Sequence, residues 1–107
     1  MDAEALAARL AAIASPQRLR ILAELADGPL HVSELARRAG MSRALLYMHL
    51  TRLEEAGFVS GRLELGADGT ALKLFDIEPF RLEIDLATIV TAIRSAPPPT
   101  PSRKEKP

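Results

Sequence analysis

The sequence predicts a mainly α-helical domain that carries one small β-hairpin, and three observations support this. Apolar residues recur every three or four positions through most of residues 2–56, which is the helical period. Residues that start or end helices separate these segments from one another. After Gly57 two runs typical of strands flank a turn rich in glycine and aspartate.

Two helices are predicted at the N-terminus. Residues 2–14 (DAEALAARLAAIA) are rich in alanine and have their larger apolar residues at helical spacing. Ser15 then provides an N-cap and Pro16 fits the first helical position. The second helix is expected to run to about Ala26, where an Asp-Gly-Pro segment ends it.

A short third helix and a longer fourth helix follow, separated by a glycine turn. The third is predicted from about Val32 to Ala39, and Gly40 ends it. The fourth runs from about Arg43 to Ala56, with Ser42 as its N-cap and Gly57 as its C-terminal stop.

The remaining elements are a hairpin and a last helix. Residues 58–65 and 70–77 read as two strands, joined by a four-residue loop, GADG, at 66–69. Residues 79–84 alternate apolar and polar side chains and look extended, although one helix from the start of this segment is the alternative. Asp85 is then the expected N-cap of the last helix.

Composition limits the protein classes that need considering. The net charge is zero, so any attraction to nucleic acid must come from local clusters of charge. The chain has no cysteine, which excludes disulfides, thiolate metal sites and a cysteine nucleophile. No apolar run is long enough for a membrane span, and no signal peptide is recognised, so we expect a cytoplasmic protein without a membrane partner. We expect one domain over residues 1–95 and a disordered Pro-rich tail over 96–107.

The order of these elements is that of a winged helix-turn-helix domain, of the α+β type. In such a domain the helix after the turn lies in the DNA major groove, with its N-terminal residues closest to the bases. Between His31 and Arg52, four arginines stand against Glu34 alone, giving this segment a net charge of +3. The positive end of the fourth helix at Ser42 adds a site for a phosphate. The local charge therefore favours double-stranded DNA as the partner.

The fourth helix carries apolar residues on two faces. Leu46, Leu50 and Leu53 form a stripe typical of a face packed on the core. The residues opposite need another partner, and we expect Arg43 to contact a guanine or a phosphate and Arg52 the backbone. The full candidate DNA-binding set is Ser42, Arg43, Ala44, Tyr47, Met48, Thr51 and Arg52 of this helix, Arg37 and Arg38 before it, and Arg62 and Lys73 of the hairpin.

A solvated surface is the alternative for every member of this set, because exposed arginines and single exposed aromatic residues are common. The hairpin is the weaker part of the prediction, since Glu64 and Asp68 oppose the charges of Arg62 and Lys73.

At these residues the chain resembles the ArsR-type winged-helix repressors, over about residues 4–95. The resemblance lies in SPQRLRIL at 15–22, in LHVSELARRAGMSRALLYMHLTRLEEAGFV at 30–59 and in the hairpin that follows. The most specific part is a spaced pattern in the fourth helix and just beyond it, made of Ser42, His49, Leu50, Leu53, Ala56, Gly57 and Val59. The resemblance implies a homodimeric transcriptional repressor whose first and last helices form the dimer interface.

The apolar content of these two helices agrees with a dimer. Their stripes exceed what one small core needs, and two-fold dimers are the commonest oligomers. Packing inside a single chain is the alternative for either stripe. The candidate interface residues are Leu6, Leu10, Ile13, Leu86, Ile89, Val90 and Ile93.

The motif that many members of the family use to bind metals is changed here. Where those proteins have a sequence like LCVCEL, this chain has LHVSEL, with His31 and Ser33 at the two thiolate positions. The last helix has Asp85 at its start but no histidine, and the whole chain has two histidines, His31 and His49. We therefore predict no metal site and no cofactor. Sensing would depend on an organic ligand or on a partner protein, unless there is no effector.

Two other functions are weighed against DNA binding. A protein-interaction module with this fold would use Tyr47 and Met48 as its contact surface. An enzyme is not expected, because two separated histidines and scattered carboxylates provide no nucleophile paired with a base.

Overall fold

Five α-helices and a three-stranded antiparallel sheet make up residues 1–95, the part of the chain that the computed structural model describes. The helices are α1 (Ala3–Ile13), α2 (Pro16–Glu24), α3 (Val32–Ala39), α4 (Arg43–Glu55) and α5 (Leu86–Arg94). The strands are β1 (Leu30–His31), β2 (Val59–Leu65) and β3 (Ala71–Ile77), in the sheet order β1-β3-β2. This is the predicted winged helix-turn-helix fold. The predicted tail, 96–107, lies outside the described residues.

The helix starts follow from local side chains. Ser15, Ser42 and Asp85 each accept a hydrogen bond from the backbone N–H three residues further on, at 3.3, 3.1 and 2.8 Å. These bonds satisfy amide groups that have no partner within the helix, so each position begins a helix as predicted. α3 ends at Gly40, whose left-handed backbone (φ 70°) allows the tight turn into α4.

Three details differ from the sequence-based predictions. β1 was not predicted; it has two residues and pairs with Phe75 and Leu74 of β3. The hairpin loop spans residues 66–70, one more than expected, because pairing stops at Leu65 and Ala71. Residues 79–84, expected to be extended, form no strand of the sheet, and the alternative of a helix from the start of this segment was wrong.

Side-chain packing accounts for the course of this irregular segment. The ring of Phe80 packs edge-on against the ring of Phe58, with the centroids 4.6 Å apart, and Leu82 packs against the core. The segment therefore connects β3 to α5 through the packing of two side chains instead of by adding to the sheet.

The core lies between the helices and the base of the hairpin. α4 contributes Leu46, Leu50 and Leu53, all of which are at most 1% exposed. Other fully buried side chains come from α2 and the residue after it, from α3, and from β2 and the residue before it: Ile21, Leu25, Leu35, Val59 and Phe58. Within residues 1–95 no helix is both long and apolar enough to cross a bilayer.

Gly61 allows the hairpin to close against the core. It pairs with Phe75, and a Cβ atom at position 61 would lie 2.7 Å from Cε1 of Phe75 and 2.9 Å from Cε of Lys73. The Phe75 side chain is itself 2% exposed, so the ring has little room to move.

We expect Gly61→Ala to lower the free energy of unfolding by roughly 1 to 3 kcal/mol, the usual cost of overpacking a core. Urea denaturation followed by circular dichroism measures this. Ser60→Ala, at the adjacent position of β2, is the control and should change stability by less than about 0.5 kcal/mol. Equal stability of the two variants would show that Phe75 moves freely.

Candidate nucleic-acid interface

α4 presents one face to the core and the opposite face to solvent. While its leucine stripe is buried, Tyr47 is 43% exposed and Met48 is 55% exposed. Every candidate DNA-binding residue of this helix is exposed in the single chain: Ser42, Arg43, Ala44, Tyr47, Met48, Thr51 and Arg52. The outward face is therefore accessible to a groove of DNA.

The two aliphatic hydroxyl groups of this face, those of Ser42 and Thr51, have different capacities. Ser42 accepts from the amide of Leu45 through its oxygen and keeps its hydroxyl proton for donation. Thr51 donates its hydroxyl proton to the carbonyl oxygen of Tyr47, at 2.9 Å. Ser42 is thus able to donate to a phosphate, whereas the Thr51 hydroxyl offers an acceptor.

The two arginines of α3 are held by one carboxylate. Both guanidinium groups bond to Glu34: Nε of Arg38 lies 2.8 Å from Oε2, and Nε of Arg37 lies 3.1 Å from Oε1. Hydrogen bonds from Arg37, which has the larger effect, and from Arg38 lower the pKa of Glu34 to about 2. The carboxylate stays charged at neutral pH and offsets part of the positive charge that the sequence places here.

The hairpin cations are also engaged within the chain. Arg62 forms a long ion pair of 3.8 Å with Asp76, and the ammonium of Lys73 lies 5.4 Å from the centroid of the Phe75 ring. Leu63 and Leu65 on the same hairpin are 69% and 77% exposed. The hairpin therefore presents apolar and paired side chains, which leaves its two cations less available to an anion.

Three predicted site residues line one groove. A groove of about 270 Å³ between α4, β1 and the hairpin is bordered by Arg43, Tyr47 and Lys73. His31 and Ser33 also line it, and His31 Nε2 lies 3.4 Å from a carboxylate oxygen of Glu64. His31 and Ser33 were not predicted to be site residues. The pairing of β1 with β3 places them beside the groove, and it involves only the two residues of β1.

The other predicted cations lie away from this groove. Arg52 borders a cleft against α1, together with Arg18 and Glu55. Arg37 and Arg38 remain on the exposed side of α3. The groove and the outward face of α4 thus form the centre of the candidate site, and these arginines lie at its edges.

The candidate dimer residues fall into three groups. Leu86, Ile89 and Ile93 of α5 are 75%, 45% and 60% exposed in the single chain. Leu6 is only 8% exposed, so it is already covered by its own chain. The remaining three, Leu10, Ile13 and Val90, are half-buried. Among residues 1–95 there is no group of three or more histidine, aspartate or glutamate residues arranged to hold a metal ion.

The fold and the exposed face of α4 define a winged helix-turn-helix DNA-binding protein, and comparisons with known proteins identify its family. The profile of the family described as "Bacterial regulatory protein, arsR family" matches residues 15–60. An uncharacterised HTH-type transcriptional regulator of Methanocaldococcus jannaschii, MJ0229, is 34% identical over 74 residues, which cover 69% of this chain and 77% of the relative.

Solved structures agree with this assignment. The crystal structure of NolR from Sinorhizobium fredii matches with a TM-score of 0.62 and 32% identity, over 72% of each chain. The solution structure of a homodimeric DNA-binding domain, Mb0332 of Mycobacterium bovis, matches with a TM-score of 0.61 and 31% identity, over 69% of this chain and 64% of that one. That domain is described as a possible ArsR-family transcriptional regulator. The chain belongs to the ArsR family of DNA-binding transcriptional regulators.

Replacing Glu34 tests how far it restrains the two arginines of α3. We expect Glu34→Gln to strengthen DNA binding and to steepen its salt dependence, because two guanidinium groups become available to phosphates. Each added phosphate contact should change the slope of log K against log salt by roughly −0.9.

Fluorescence anisotropy at several salt concentrations provides the measurement. Glu83→Gln is the matched control, because Glu83 also bonds to an arginine, Arg81, but does so in the segment before α5. An identical gain in both variants would mean that overall charge, and not the release of Arg37 and Arg38, causes the effect.

Proposed function

We propose that this protein is a homodimeric repressor that binds an imperfect palindromic DNA operator, with α4 of each protomer in the major groove. The observation that carries the proposal is the outward face of α4, whose residues are all exposed although the leucine stripe on the opposite face of the same helix is at most 1% exposed. A helix seated this firmly can present side chains to DNA in a fixed orientation.

Each part of the face has a proposed role. Arg43, in the first turn of α4, contacts a guanine edge, and Tyr47 and Met48 contact sugars or a thymine methyl group. Ser42 and the amide groups at the start of α4 hold a phosphate. Lys73 borders the same groove as Arg43, which supports a role in backbone contact on that side. The peripheral arginines Arg37, Arg38, Arg52 and Arg62 would add backbone contacts.

The dimer is proposed from the apolar face of α5. Leu86, Ile89 and Ile93 are exposed in the single chain, and a second copy packed on this face would cover them. The Mycobacterium bovis relative is homodimeric. A two-fold dimer would place its two α4 helices on half-sites about one or two helical turns apart.

We propose that the protein does not sense its effector through cysteine thiolates. The chain contains no cysteine, so a soft-metal site of the thiolate type has no ligands here. An organic ligand or a separate partner protein would then control the repressor, which acts on DNA in the cytoplasm.

Arg43→Ala tests the proposed base contact. We expect it to weaken operator binding by roughly 1 to 3 kcal/mol and to relax the preference at one base pair, because a bidentate contact to guanine would be lost. Anisotropy titrations on the operator and on single-base variants measure both effects. Arg81→Ala removes an exposed arginine elsewhere and should leave affinity within about twofold.

The same titrations separate the alternatives. An equal loss on every DNA sequence would make Arg43 a phosphate contact. Weak binding by the wild type, equal on all sequences, would contradict the repressor and favour a protein-interaction module that uses Tyr47 and Met48.

Ile93→Asp tests the dimer. We expect a monomer in sedimentation experiments and a loss of operator affinity, since a charge cannot be buried without a partner in an apolar interface. Ala26→Asp makes the same change of charge at an exposed position after α2 and should remain dimeric. A dimeric Ile93→Asp protein would place the interface elsewhere.

A further inference from the structure

Arg18 of α2 joins three helices through one guanidinium group. Its Nε donates to Nδ1 of His49 in α4, at 3.1 Å. Its Nη1 donates to the carbonyl oxygens of Ala11 and Ala12 at the end of α1, at 3.4 and 3.3 Å. A cation is favoured at this position, because the last carbonyl groups of a helix carry partial negative charge.

His49 lies on the recognition helix but is not part of its outward face. The residue is 7% exposed, and its Nδ1 accepts the bond from Arg18, so the ring proton is on Nε2 and the imidazole is neutral. Burial lowers the pKa of His49 below its usual value, and the charge of Arg18 adds a smaller effect in the same direction. The neutral ring is therefore the form that fits this site.

The charges around His49 do not stabilise an imidazolium. Arg52 and Glu55 of α4 line the cleft next to Arg18, and Arg9 of α1 is directed at the ring of Phe58. Within residues 1–95 the structure shows no hydrogen bond from His49 to a carboxylate. The charged groups of the other elements packed on α4 have partners of their own. Arg20 pairs with Glu24 in α2, and Glu34 pairs with Arg37 and Arg38 in α3. In β2, Arg62 pairs with Asp76 of β3, and a carboxylate oxygen of Glu64 lies 3.4 Å from Nε2 of His31.

We propose that Arg18 and His49 are a positioning pair that fixes α4 against α1, and that a proton on His49 breaks this link and weakens DNA binding. The inference rests on the proposed DNA-binding function. A protonated Nδ1 cannot accept from Arg18, and two adjacent cations repel each other. Either Arg18 leaves the carbonyl groups of α1 or α4 shifts, and both outcomes disturb the angle at which the outward face meets DNA.

The sign of the pH effect distinguishes this role from simple electrostatics. Protonation of a histidine that faces DNA adds positive charge and strengthens binding as pH falls. The positioning pair predicts the opposite, a loss of affinity of up to about tenfold per pH unit for each protomer, the limit for one linked proton, and so up to about a hundredfold for the proposed dimer. Folding stability should fall in the same direction, because below the usual histidine pKa the unfolded chain binds a proton that the folded chain excludes.

The experiment compares operator affinity from about pH 7.5 down to about pH 5, the lower end of the usual histidine range, because the pKa of His49 is lowered, and it does so at constant ionic strength. His49→Asn keeps an acceptor near the position of Nδ1 but cannot titrate, so its affinity should not fall with pH. His31→Asn removes the other histidine of the chain, which lines the candidate groove, so its affinity at about pH 7.5 serves as its own reference. From that reference, its affinity should fall with pH by the same factor as that of the wild type. Circular dichroism at each pH establishes that every protein compared is folded.

A second variant covers the case in which His49→Asn does not fold. Arg18→Lys keeps the charge near the end of α1 but has no planar fork to reach both partners. It should bind less tightly than the wild type at pH 7.5 and show a flatter pH profile.

The outcomes are distinct. A wild type that binds the operator equally at all pH values, or more tightly at low pH, would overturn the positioning pair and leave the repressor intact. A pH profile that disappears in His31→Asn instead would also overturn it. A wild type that shows no sequence-selective binding even at pH 7.5 would overturn the proposed function, and this inference with it.

Discussion

Burial of one face of α4 is the constraint on which the site depends. Leu46, Leu50 and Leu53 are fixed in the core, and truncating one such leucine typically costs roughly 2 to 5 kcal/mol of the roughly 5 to 15 that hold a domain folded. A helix is a rigid cylinder, so burying this stripe also determines which residues face away from it. The exposed set around Tyr47 is therefore positioned by residues that contact only the core.

The same structure determines which positive charges remain unpaired. The chain has no net charge, and several cations near the site are bound within it: Arg37 and Arg38 to Glu34, and Arg62 to Asp76. Arg43, in contrast, is in no ion pair among residues 1–95. Its guanidinium adds to the positive end of α4, since both lie in the first turn. The strongest unpaired attraction for an anion is thus where a recognition helix meets the bases.

The sequence predicted the helices well because the signals that start and end a helix are local. Ser42 and Gly40 act within three residues of their own position, and the structure shows both in these roles. β1 was not predicted, because its two residues form a strand only by pairing with β3, which is distant in sequence. The pairing of Glu34 with both arginines was missed although the residues are three and four positions apart, since periodicity does not show which exposed charges meet.

The attachment of α1 suggests how a change at the dimer interface would reach DNA. Arg9 donates to the carbonyl oxygen of Ala56 at the end of α4, and Arg18 connects the end of α1 to His49 in the middle of α4. Two attachment points along a rigid helix limit its rotation as well as its translation. If α1 belongs to the proposed interface, a ligand or partner that moves it must also move α4 or break one of these bonds. Since each bond links a guanidinium to a buried or half-buried acceptor, breaking it leaves a polar group without its partner, and the two bonds therefore couple the position of α4 to that of α1.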